Sequence, residues 1–134
     1  MPPKDLDHLF DYWMGIAENQ DHLTNLIFRS NQHHLSGLFH AHLSMEAFLK
    51  ACIVHAIKEH APYSHKLPYL AGKLPVELSE QKLDLLTQLN KYNIQGRYPE
   101  ELKNIEDTDP AMAKRLYKKS KDLQKWLKKT LKLK

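Results

Sequence analysis

Glycine, cysteine and long apolar runs are scarce in this chain, and each scarcity excludes a class of protein. Only four of the 134 residues are glycine, and Cys52 is the single cysteine. One cysteine cannot form a disulfide within the chain, which favours the cytoplasm. No run of about 18 apolar residues occurs, so we expect no transmembrane helix and no contact with a membrane. The first residues, Met1 to Asp5, lack a signal-peptide core, which also favours the cytoplasm.

Apolar residues recur at steps of three and four along most of the chain, which predicts helices throughout. We expect a first helix of about 25 residues, a broadly buried second helix and a short third helix, followed by two further helices. Their expected positions are Leu6 to Ile27, Leu35 to His60, His65 to Lys73, a helix opened by Ser79, and one opened by Thr108-Asp109-Pro110. Residues 95–108 are predicted to form a loop. No two-residue alternation typical of strands is present. The prediction is a single domain over 1–134, an all-α bundle of four main helices plus one short helix.

Positive charge is concentrated at the C-terminal end. Residues 113–134 contain ten Lys or Arg and one acid, Asp122, whereas the rest of the chain has ten bases and fifteen acids. A basic helix on an acidic body could bind nucleic acid, an acidic partner or lipid headgroups. A solvated helix face would have the same composition, and the sequence leaves both interpretations open.

Nine histidines raise the question of a metal site. His40 and His42 are separated by about 200° around a helix, so they cannot share an ion. His42 and Glu46 are four apart and could meet, but two ligands do not make a zinc site. We therefore predict no metal ligands and no cofactor.

Glu46 and Lys50 form an acid-first pair four residues apart on the predicted second helix. Their neighbours are apolar, which suggests that the pair is partly buried and needs further partners. The candidate partners are His65, Tyr92 and Arg97. Arg97 lies between two aromatics, after a glycine and before a proline. This grouping would hold its guanidinium in a bent loop, where it could bind an anion or simply stack on a tyrosine.

Three segments together resemble HEPN domains. The stretch Leu38 to Ala51 is similar to the second-helix signature of that family. Ser64-His65-Lys66-Leu67 resembles its Thr/Ser-His-x-Leu element, and residues 92–100 resemble its aromatic-x4-Arg-Tyr-Pro segment. The likeness covers roughly residues 8–130 in the family's order. It implies an up-and-down helical bundle, and it implies that Glu46, Lys50, His65, Tyr92 and Arg97 bind a nucleotide or a partner.

The resemblance implies two alternative functions. Many HEPN proteins are ribonucleases or toxins that use an Arg followed four to six residues later by His, but no histidine follows His65 here. Arg29 and His34 have that spacing at the first helix junction, which we interpret as chance. Others are noncatalytic, commonly homodimeric partners of minimal nucleotidyltransferases in antitoxin/toxin-type pairs. We expect a noncatalytic, homodimeric module that binds a nucleotide, or RNA through Arg97 and the basic C-terminal helix. A ribonuclease toxin with a degenerate site is the alternative.

Overall fold

A computed structural model describes residues 3–93 and 108–133, and within these ranges the chain is helical without strands. The helices are α1 (Pro3–Arg29), α2 (His34–Ile57), α3 (Leu67–Ala71), α4 (Glu80–Asn90) and α5 (Pro110–Thr130). The all-α bundle of four main helices plus one short helix is thereby confirmed. In the two ranges that the structure covers, no helix is long and apolar enough to cross a membrane. The loop predicted over 95–108 lies almost entirely outside the described residues.

The second helix is the centre of the bundle, as its broad apolar arc predicts. Helix α2 packs along α1 and also contacts α3, α4 and α5. Leu38, Met45, Phe48 and Leu49 are each fully buried on it. Cys52 lies in the same core, where burial raises the pKa of its thiol to about 12. Such a thiol behaves as a small hydrophobic side chain.

Helices α1 and α2 cross closely at Gly37. A Cβ atom added there would lie only 3.0 Å from two ring carbons of Phe28. A larger residue at this position would push the two helices apart, so the absence of a side chain sets their separation. The same packing of α1 against α2 places Trp13 of α1 near the polar residues of α2.

The starts of α4 and α5 have side-chain caps, as their sequences indicate, whereas the start of α2 has none. The Ser79 hydroxyl accepts the Lys82 N–H, and the Asp109 carboxylate accepts the Met112 N–H before Pro110. The N-cap of α2 is His33, in the left-handed conformation and without a side-chain cap. Ser30, the nearest hydroxyl side chain before α2, donates from its hydroxyl to the Ile27 carbonyl at the end of α1.

Two predicted helix ends were too long. Helix α2 ends at Ile57 rather than near His60, because Lys58 turns left-handed and donates its N–H back to the Val54 carbonyl. Helix α3 covers Leu67–Ala71 rather than 65–73. His65 is therefore outside the helix, in the connection that reaches back over α2.

Three apolar residues predicted to face the core are exposed. Leu23 and Leu26 of α1 are 42% and 46% exposed, and Met112 of α5 is 47% exposed. In α1 the apolar pattern is wider than the contact with α2 can cover. The leftover apolar side of α1 is therefore on the surface of the protomer.

Candidate functional site

A buried ion pair on α2 forms the base of the candidate site. The Lys50 ammonium donates to the Glu46 carboxylate across 3.1 Å, and the two side chains are only 5% and 10% exposed. The spacing of four residues places both groups on one face of the helix. A charge buried this deeply requires a partner, so each residue of the pair holds the other in place.

His65 joins the pair from the connection between α2 and α3. Its Nδ1 atom lies 3.0 Å and 3.1 Å from the two carboxylate oxygens of Glu46. The His65 side chain is 58% exposed. Nδ1–H donates to the carboxylate, so Nε2 is the ring nitrogen left for a ligand. We call Glu46, Lys50 and His65 the Glu46 cluster.

The backbone beside His65 is fixed by two polar side chains, a fully buried one from His42 and a half-buried one from Asn90. His42 Nε2 lies 3.2 Å from the His65 carbonyl oxygen, and Asn90 of α4 accepts the Leu67 N–H at 2.8 Å. Burial lowers the pKa of His42 below 6.5, and the nearby Glu46 carboxylate opposes that effect. A neutral His42 can donate its Nε2–H to the carbonyl. The connection is thus anchored to α2 at His65 and to α4 at Leu67.

The buried ring of His42 has one nitrogen with weaker contacts. Its Nδ1 atom has no hydrogen bond of good geometry. The Asn90 side chain is nevertheless close to the ring, and this proximity raises the pKa of His42. Burial nevertheless has the larger effect and keeps the pKa of His42 below its ordinary value. His42 therefore supports the backbone of the site rather than providing a ligand contact.

Trp13 connects the cluster to α1. The Lys50 ammonium is 4.8 Å from the centroid of the indole ring, a cation–π distance. The sequence did not single out this residue, because Trp13 looked like part of the apolar stripe of α1. Only the packing of α1 on α2 brings the two side chains together.

The model of the HEPN domain matches residues 10–130, which is most of the chain. This chain belongs to the HEPN family. No curated protein and no solved structure matches it. The predicted family is thus confirmed, and the Glu46 cluster lies within the matched part of the HEPN domain.

Of the predicted site residues that the structure describes, Tyr92 lies outside the Glu46 cluster. The Tyr92 hydroxyl lies 2.6 Å from the Thr108 hydroxyl, and it was predicted as a partner for Glu46. Thr108 in turn has its carbonyl oxygen 2.6 Å from His34 Nε2. Tyr92 therefore joins the end of α4 to the entry of α5 and the start of α2. Arg97 lies outside the described residues of the HEPN domain.

The other sequence motifs have structural contacts. His34, which follows Arg29 at the spacing of the ribonuclease motif, uses its ring to bond the Thr108 backbone. Across 3–93 and 108–133, no three His, Cys, Asp or Glu side chains come together as a metal site would require. The Glu46 cluster thus offers a carboxylate, an ammonium and an exposed imidazole.

Proposed function

We propose that this HEPN domain is a noncatalytic binding module that holds a nucleotide and pairs with a minimal nucleotidyltransferase in an antitoxin/toxin-type pair. The observation that carries the proposal is the exposure of His65 above a buried Glu46–Lys50 pair. The buried pair fixes the direction of the imidazole before any ligand arrives. A preorganised side chain at a surface loses less entropy on binding than a mobile one.

The surroundings of His65 suit a nucleotide. The Tyr63 ring is 96% exposed, and its centroid is 5.9 Å from that of His65. The exposed Lys66 follows, with its backbone N–H bonded to the Ser64 hydroxyl. An aromatic face can stack on a base, and an imidazolium and an ammonium can bind phosphate. The family resemblance adds Arg97 as a further proposed phosphate ligand.

The chemistry of the cluster supports binding rather than RNA cleavage. Transesterification needs one group to accept the 2′-hydroxyl proton and another to protonate the leaving oxygen. Histidine is the side chain suited to such exchange near neutral pH. His65 is exposed, whereas His42 is fully buried with its pKa lowered. The Glu46 cluster thus offers one accessible proton-exchanging side chain.

We expect nucleotide to raise the melting temperature of the wild type. At ATP concentrations about ten times Kd, mass action adds about 1.4 kcal/mol to the free energy of unfolding. That increment corresponds to a shift of roughly 4 °C for a domain of this size. His65→Ala is expected to lose most of the shift, because the imidazole is the exposed end of the cluster. Differential scanning fluorimetry with and without ATP measures both values.

His60→Ala is the matched control, since His60 is an exposed histidine in the same connection. It should retain the full ATP-induced shift. Arg97→Lys keeps the charge but loses the planar guanidinium, and it should reduce the shift. If millimolar ATP leaves the wild type unchanged, nucleotide binding is wrong. If the protein cleaves single-stranded RNA and His65→Ala abolishes the cleavage, the ribonuclease alternative replaces the proposal.

We also propose that the protein is an isologous homodimer that buries the exposed side of α1. Trp13, Phe39 and Trp126 are each at least partly buried, so these large aromatics do not form the uncovered apolar surface. The exposed apolar side chains are instead Tyr12, Leu23 and Leu26, at 59%, 42% and 46%. Their spacing puts them on one side of α1, which a second copy of the same helix could cover.

A charge on that side of α1 should disrupt the dimer. We expect sedimentation velocity at micromolar concentration to give a dimer for the wild type and a monomer for Leu23→Glu/Leu26→Glu, because desolvating a carboxylate at an interface is costly. Leu83→Glu is the control on α4, at 39% exposure, and should remain dimeric. A wild-type monomer would contradict the proposal. The proposed nucleotidyltransferase partner is tested separately, by coexpression with the product of an adjacent nucleotidyltransferase gene.

A further inference from the structure

Positive charge forms a continuous surface along α5. Lysines follow one another at steps of four and three residues, which places them on one side of the helix. We call this set the lysine face: Lys114, Lys118, Lys121, Lys125 and Lys128. From Lys114 to Lys128 it extends over about 21 Å of helix. Arg115, Lys119 and Lys129 are exposed beside it, and Asp122 is the one acid on the helix.

The bundle neutralises little of this charge. Lys121 is bonded to Asp21 of α1 at 2.6 Å, and Lys114 donates to the neutral amide oxygen of Asn31. Pairs such as Lys114–Lys118 and Lys121–Lys125 are like charges four residues apart, which destabilise an isolated helix. A face that served only solubility would be more stable with alternating charges. A polyanion lying along α5 would relieve the repulsion.

The lysine face lacks the apolar side chains that a membrane or a protein partner would use. Leu116, Leu123 and Leu127 point into the core, so the apolar side of α5 is already occupied. Within α5, which the structure describes throughout, Met112 is the one large hydrophobic residue that is strongly exposed. Amphipathic helices enter membranes through a free apolar side, and protein interfaces are depleted of lysine. Phosphate groups fit this surface better.

A groove beside the lysine face has room for a base. It lies between α4 and α5 and has a volume of about 650 Å³. Trp126 lines one wall, with the Lys82 ammonium 4.4 Å from an indole ring centroid. Asp84 and Asp122 also line the groove, next to Lys119. The carboxylates would repel phosphate but can accept hydrogen bonds from the amino groups of bases.

We propose that single-stranded nucleic acid binds along α5, with its phosphates on the lysine face and a base in the groove against Trp126. A basic surface that follows the backbone, combined with an aromatic side chain for stacking, is how proteins bind single strands without reading sequence. The surface uses none of the residues of the Glu46 cluster. It is therefore independent of the nucleotide site proposed above.

The test is fluorescence anisotropy with a labelled 2′-O-methyl RNA of about 12 nucleotides, a length within the range that single-strand sites cover. The wild type should bind, with affinity falling as salt rises. Lys118→Gln/Lys125→Gln/Lys128→Gln should reduce the slope of log affinity against log salt by about 2, since each phosphate contact on a single strand contributes about 0.7. Trp126→Ala should weaken single-strand binding roughly ten-fold, whereas Trp126→Phe should retain most of it.

Matched controls separate the site from net charge. Lys58→Gln/Lys73→Gln/Lys91→Gln removes three exposed lysines elsewhere, and it should leave the salt slope unchanged. A wild type that fails to bind ATP would leave this prediction intact, because the lysine face and the groove contain none of the residues of the Glu46 cluster. If the two triple lysine variants lost the same amount of RNA affinity, the lysine face would not be the binding site. If a duplex of the same length bound more tightly, and Trp126→Ala did not weaken that binding, the proposal that a base binds in the groove would be wrong.

Discussion

Replacing Glu46 by glutamine should lower the free energy of unfolding by about 3–5 kcal/mol. The substitution keeps the shape of the side chain but leaves the Lys50 ammonium buried without its counterion. Lys50 is 5% exposed and its Nζ atom lies 3.1 Å from the carboxylate, so water cannot replace the lost partner without movement of α2. Urea unfolding followed by far-UV circular dichroism, with linear extrapolation, measures the change.

The double variant Glu46→Gln/Lys50→Met tests the cause. Removing the ammonium together with its partner should recover most of the loss, because well-packed apolar groups often replace a buried pair at little cost. Glu59→Gln is the matched control, as Glu59 is an exposed glutamate just after α2. Its effect should stay within about 0.5 kcal/mol. A Glu46→Gln variant as stable as this control would show that the pair is solvated, contrary to the structure.

Replacing Phe48 by alanine should also cost about 3–5 kcal/mol, because it removes a large fully buried ring and leaves a cavity. Phe48 is 0% exposed and lies on α2 between Glu46 and Lys50. The same urea titration gives the value. The ring contributes no polar contact, so the loss should not depend on salt.

Tyr63→Ala is the control for Phe48→Ala, since this aromatic ring is 96% exposed. It should change the free energy of unfolding by no more than about 0.5 kcal/mol. Comparable losses for the two variants would mean that the core does not contain Phe48 as described. A loss for Phe48→Ala that is much smaller than expected would mean that neighbouring side chains close the cavity.

The parts of the site that depend on local spacing were predictable. Glu46 and Lys50 are four apart within an apolar stretch, so their contact and their burial follow from helix geometry. His65 was one of three candidates for their further partner, and the structure brings it to Glu46. This contact depends on how the connection after α2 folds back, which helical periodicity does not encode.

Contacts that depend on how helices pack were not predictable in the same way. Tyr92 bonds Thr108 because the last turn of α4 meets the entry to α5, and no local pattern indicates that meeting. Leu23 and Leu26 satisfy the periodicity of a core stripe although they are exposed. Periodicity identifies an apolar side of a helix, but it cannot tell whether the same protomer or another covers it.

The bond between Tyr92 and Thr108 has a consequence for how this protein can vary. It fixes the two ends of the intervening stretch, residues 93–107, and His34 holds Thr108 to the start of α2. Three helices therefore meet at these contacts: the end of α4, the entry to α5 and the start of α2. Loss of the Tyr92 hydroxyl or of the His34 ring would loosen all three at once. We therefore expect these two positions to tolerate fewer substitutions than exposed positions on the same helices.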